Sequence, residues 1–145
     1  DLREGWALKP SYWVYANFFH FLGGGEIVSH TAPCSLDVVA SRRILADGAQ
    51  ATFWVVNRGK ASLADQLFAV YNFPAEQAEL QVFDNLIGST PILTRTIHGS
   101  PLAFTATLPP QSSLVFVLRG ASSEPVTPSW VYVPMALSRS HEGNP

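Results

Sequence analysis

The residues able to carry chemistry are sparse in this chain, and their spacing does not gather them. The eleven carboxylates are Asp1, Glu4, Glu26, Asp37, Asp47, Asp65, Glu76, Glu79, Asp84, Glu124 and Glu142. Most fall in predicted turns or on predicted solvent faces. Cleavage of a glycosidic bond needs two carboxyls held about 5–10 Å apart across a sugar, and no spacing here nominates such a pair. His20, His30, His98 and His141 are isolated; none has a second His, Cys or carboxylate at a metal-ligand interval. Cys34, the single cysteine, follows Pro33 and has no nucleophile signature around it; it reads as a small core or edge residue. A Ser/His/Asp triad is defined by geometry, so the sequence leaves it open, but no Gly-x-Ser-x-Gly elbow is present. Gly23-Gly24-Gly25 follows a predicted helix, the wrong order for a loop that cradles an anion ahead of a helix N-terminus. No catalytic, cofactor-binding or metal-binding residue is assigned, and no cofactor is expected. What remains is aromatic. Trp54, Trp130 and Tyr132 are the side chains available to stack on sugar rings. Trp54, flanked in alternation by Thr52 and Val56, fits a core position better.

The aromatics concentrate in one element, residues 10–25, PSYWVYANFFHFLGGG. Pro10 suits the first turn of a helix, where its missing N–H is no loss. The three glycines supply a stop, since glycine accepts the left-handed cap conformation. At 100° per residue, Phe21, Val14, Phe18, Leu22, Tyr15, Phe19 and Tyr12 sweep an arc of roughly 180°, where a helix on one core needs about 100°. Ala16, His20 and Asn17 fall opposite, with Trp13 among them. Six aromatics that each bury about 150–250 Å² amount to on the order of 1,000 Å², well beyond the apolar patch of a typical monomer. The plainer reading is a helix capping one core. The sharper one is a helix covered from two directions, with Tyr12, Trp13, Tyr15, Phe18, Phe19 and Leu22 packing on a second body.

After residue 25 the texture changes to short alternating runs. Residues 27–30 are extended. Leu36–Leu45 alternates, Asp47-Gly48 marks a hairpin turn, and 51–56 returns. Residues 63–71 form a further run that Ala64-Asp65-Gln66 weakens. Runs at 79–83, 92–97, Leu102–Leu108 and 113–118 follow, separated by turn signals. About eight short strands at this spacing predict an all-β antiparallel sandwich behind one N-terminal apolar helix. The absence of a recurring helical period argues against alternating βαβ units. The organisation expected is a lead-in and helix at 1–25, the sandwich at 26–120, and a linker with an apolar tail at 121–145. Such a tail either wraps back onto the body or adds a strand to another chain.

Composition limits the partners. Of 145 residues, 47% are hydrophobic and 14% are charged, against a usual charged share of about 25%. Part of the surface is therefore expected to be covered in the native assembly. A net charge of −2 without a Lys/Arg cluster argues against nucleic acid. No apolar run is long enough for a transmembrane helix, and no targeting segment is visible. The abrupt start at Asp1-Leu2-Arg3 suggests a fragment, processed subunit or truncated chain.

Taken together, Lys9-Pro10-Ser11-Tyr12-Trp13, Leu22-Gly23-Gly24, Val55-Val56-Asn57-Arg58 and Leu108-Pro109-Pro110-Gln111-Ser112, followed by the apolar strand 114–118, resemble the C-terminal region of retaining glycoside hydrolases of the (β/α)8-barrel clan. The likeness is to families that carry a β-sandwich after the barrel, such as β-xylosidases, α-L-iduronidases and arabinofuranosidases, and it covers residues 1–120. The resemblance implies that the helix is the last of the barrel and that both catalytic glutamates lie in a part of the enzyme outside this chain. It also implies a barrel as the packing partner, in the same precursor or as a partner chain, and it fits a secreted or lysosome-like setting. The tail at 130–145 has no counterpart. The expected function is an accessory, structural β-sandwich of a glycoside hydrolase, whether or not the chain is itself an enzyme. The alternatives are a carbohydrate-binding module, which displays its aromatics, and an immunoglobulin-like interaction domain without a sugar role.

Overall fold

The computed structural model of the chain describes residues 10–85 and 87–121 and the backbone of 134–137. Helix α1, Pro10–Asn17, runs directly into a π-helical turn, Phe18–Leu22. Nine strands follow among the described residues: β1 Glu26–Ile27, β2 Leu36–Leu45, β3 Gly48–Asn57, β4 Leu63–Val70, β5 Gln77–Asp84, β6 Leu93–His98, β7 Leu102–Leu108, β8 Ser112–Ala121 and β9 Pro134–Leu137. They pair antiparallel as a six-stranded sheet, β1-β2-β3-β8-β5-β6, and a three-stranded sheet, β7-β4-β9. This is the antiparallel sandwich with one N-terminal helix that the alternation predicts. Strand β9 pairs with β4 of its own chain, Phe68 opposite Ala136, so this part of the tail turns back onto the body.

Two local features sharpen the sequence reading. The β2–β3 register pairs Leu45 with Gly48, so Ala46 and Asp47 make the turn, one position earlier than the Asp47-Gly48 expected, and Gly48 is already in β3. Glycine is required there for a steric reason: its φ is +156°, and a Cβ would lie 2.0 Å from the Gly120 carbonyl oxygen on β8. Along β4, the stretch that weakens the strand pattern is a bulge. The register with β7 shifts between Leu63 and Gln66, and Asp65 has φ 50°, a left-handed conformation that aspartate tolerates better than most residues.

The inner faces of the two sheets enclose one apolar cluster, centred on Phe53, Phe68, Phe104 and Phe116 with Leu80, Leu102, Leu108 and Leu118. Phe68 and Phe104 are stacked at 5.1 Å between ring centroids, and both lie close to Phe116. A second cluster forms on the outer face of the large sheet, where the helix lies. It joins Phe21 and Leu22 to Trp54, Phe83, Val115 and Val117. Strands β3 and β8 are thus buried on both faces. That double cover explains why their sequences are nearly continuous apolar runs.

Candidate interaction surface

Among the described residues several charged side chains make local pairs. Glu26 pairs with Arg42 at 2.6 Å, Asp37 with Arg58 at 2.6 Å, and Glu79 accepts from Gln81 at 2.7 Å. No group of three His, Cys, Asp or Glu stands close enough to hold a metal among those residues. Cys34 is exposed just ahead of β2, outside the core position considered for it. His20 is exposed, its ring edge-on to Phe21 at 4.6 Å. Trp130, Tyr132 and His141 lie outside the described residues. Trp54 lies on the outer face of β3, opposite Val39 and Val115, and is 8% exposed, with its ring 5.7 Å from Phe18. A sugar platform needs an open ring face, and this side chain is buried against the helix.

The helix is where the residues converge. Its C-terminal carbonyls lose their intrahelical partners, and the sheet supplies replacements. Gln50 Nε2 and Thr52 Oγ1 donate to the Phe21 carbonyl at 3.5 and 3.4 Å, and Arg43 Nη1 donates to the Gly23 carbonyl at 3.3 Å. Gln50 is itself held by Arg119 Nε on β8 at 3.1 Å. Of the three glycines, Gly24 takes the left-handed conformation, at φ +73°, while Gly23 is extended and turns the chain tightly: a Cβ there would come 2.2 Å from the Phe19 carbonyl.

A regular helical wheel puts Asn17 on the side away from the apolar arc, and the structure reverses this. Asn17 is 1% exposed and turns toward the large sheet and the segment that follows β5. Its Nδ2 donates to Asn85 Oδ1 at 3.0 Å and to the Gly88 carbonyl at 3.1 Å, and Asn85 Nδ2 donates on to Ser113 Oγ at 2.8 Å. Two effects produce the reversal. The π-helical turn carries more residues per turn and re-phases Phe18–Leu22 relative to α1. A buried amide, moreover, is placed by its partners and not by its hydropathy. Asn85→Ala is expected to lower stability by about 1–3 kcal/mol, because it leaves a buried Asn17 donor short of its acceptor. A denaturant midpoint measured at unchanged slope checks this.

With Asn17, Phe21 and Leu22 turned inward, the opposite face of the helix is aromatic and open. Tyr12 is 50% exposed, Tyr15 67%, Phe18 45% and Phe19 70%. Trp13 is half-buried, near Gly88. Leu22, expected on the outward packing face, is 5% exposed and belongs to the cluster beneath the helix. Beside Phe18 the surface dips into a cleft of about 280 Å³, lined by Phe18, Val39, Trp54 and Val56 with Asp37 at its edge. The four open rings line a helix that is held by hydrogen bonds at Asn17 and at its C-terminal end, and the cleft and the exposed Val39 of β2 lie beside it. The result is an apolar, locally concave surface of open aromatic rings.

No family model matches the chain, and no curated protein does. Among solved structures, a crystal structure of a GH30 endoxylanase from Clostridium papyrosolvens is similar to it, with a TM-score of 0.53 and 23% sequence identity. The match covers 77% of this chain and 28% of the endoxylanase chain. The chain shares its fold with a segment of a glycoside hydrolase. It spans less than a third of that enzyme's length. None of the described helices is long and apolar enough to cross a membrane.

Proposed function

We propose that this chain is the accessory β-sandwich of a glycoside hydrolase, and that its work is to cover and stabilise a catalytic (β/α)8 barrel through the outer face of the N-terminal helix. The observation that carries the reading is the aromatic face of Tyr12, Tyr15, Phe18 and Phe19, left open on a helix whose other face is fixed to the sandwich. The fold shared with part of an endoxylanase supports it, since most of that enzyme's chain lies outside the matched segment. Hydrolysis then belongs to two carboxylates of the barrel, spaced for an inverting or retaining mechanism, and the sandwich contributes rigidity.

The test begins with the coding sequence upstream of Asp1. A barrel encoded there is expressed with and without residues 1–145, and its melting temperature and hydrolysis of xylan are compared. The expected result is a marked loss of barrel stability without the sandwich, reproduced by Tyr15→Ser/Phe19→Ser in the full protein. A barrel equally stable alone overturns the reading. If the isolated chain is in addition retained on insoluble xylan, it is a carbohydrate-binding module instead.

A further inference from the structure

The docking face has a property that a merely apolar surface lacks: it carries both a protrusion and a recess. Phe19 and Tyr15 are its most exposed rings. The cleft walled by Phe18, Val39, Trp54 and Val56, at about 280 Å³, has room for one large apolar side chain. We propose that, where no barrel covers it, this face pairs with a second copy of the same chain about a twofold axis, with Phe19 of each copy seated in the Trp54 cleft of the other. The inference rests on the reading of this face as a docking surface and names the partner it takes when alone.

Three observations argue for a second copy. An isologous contact requires one patch to complement itself, and here knob and hole lie side by side, with Phe18 touching both Phe19 and Trp54 at 5.7 Å between ring centroids. Self-pairing also requires that like charges not meet. Residues 10–22 contain no Asp, Glu, Lys or Arg, and Asp37 at the edge of the cleft is paired with Arg58. The area is of the right order. The exposed fractions of the four rings amount to roughly 350–600 Å², and Val39, 38% exposed beside the cleft, extends it toward the ~600 Å² per partner at the low end of stable interfaces. The ordering cost is small, because the helix is already held by the Asn17 and Phe21 hydrogen bonds.

Sedimentation of the full 145-residue chain tests this. The wild type is expected to show a reversible monomer–dimer equilibrium. Phe19→Ser, which removes the knob, and Val39→Glu, which puts a carboxylate in the hole, should each weaken it at least about tenfold while leaving the far-UV spectrum unchanged. Ile92→Ser, at an exposed apolar residue (54%) in the segment leading into β6, should leave it unchanged. A wild type that stays monomeric, or a dimer that survives both Phe19→Ser and Val39→Glu, overturns the proposal. The two readings fail separately. A dimer that never stabilises a barrel sinks the accessory role alone, and a monomer that does so sinks the pairing alone.

Discussion

Phe116→Ala is expected to lower the free energy of unfolding by about 3–5 kcal/mol, the range for removing a fully buried aromatic ring. Phe116 is 0% exposed on β8, a central strand of the large sheet, between β3 and β5. Its ring lies 5.0 Å from Phe68 and 5.3 Å from Phe104, so with Phe53 of β3 it carries the large sheet's side of the aromatic contact between the layers. Neither neighbour can move into the space. Phe68 and Phe104 sit opposite each other in the β4–β7 ladder, and β8 is held on both sides by ladders of its own. The lost transfer energy and a residual cavity therefore add. Phe116→Leu, which keeps most of the volume, should lose much less. A denaturant midpoint that falls at constant slope checks the value. A loss below about 1 kcal/mol would mean that the two sheets do not meet through this cluster.

The contrast between this residue and the helix shows what the sequence makes legible. Phe116 sits in an apolar strand whose inward side is set by a period of two, and a ladder ten pairs long cannot slip without turning every side chain over. The existence of the strands is accordingly legible, while their ends miss by up to three residues, as where β3 begins at Gly48 and β8 runs on to Ala121, and the hairpin turn at Ala46-Asp47 is displaced by one from the Asp-Gly cue. The bulge at Asp65 was visible as a weak spot, because a polar residue in a left-handed conformation interrupts the apolar alternation. The helix was legible in kind and not in orientation. Hydropathy alone places Asn17 outside and Leu22 on the open face. The side that faces inward is decided by Asn85, Gly88 and Ser113, the first two 68 and 71 positions from Asn17 along the chain, and by a π-helical turn that no local period announces. The recess beside Phe18 was illegible for the same reason: Val39, Trp54 and Phe18 come from three elements and meet only through the β2–β3 register and the seating of the helix.

That dependence gives the docking surface a particular character. Its exposed rings are presented by the same segment whose inward side chains complete the second apolar cluster, so the surface and the core beneath it are one cooperative unit. A substitution under the helix alters what the helix presents, and an apolar face of this size stays useful only while its backing is fixed.

Trp54→Ala separates the roles open to this residue and is expected to rank with Phe116→Ala in cost, about 3–5 kcal/mol. Trp54 is the largest side chain between β3 and the helix; it meets Phe18 and shares its cluster with Phe21, Leu22, Phe83, Val115 and Val117. Removing it takes away the floor of the cleft and part of the seat of the π-helical turn, while the polar pins at Phe21 and Asn17 remain. The helix should therefore loosen before the sandwich does. Binding of a hydrophobic dye is expected to rise at denaturant concentrations where the far-UV signal is still native, a separation that Phe116→Ala should not produce. Trp54→Phe, which keeps an aromatic ring on Phe18, should recover most of the loss. A sugar-stacking role makes the opposite forecast, in which stability is little changed and retention on xylan is lost. Because the ring is covered by the helix rather than laid open to solvent, the structural outcome is the one the geometry requires.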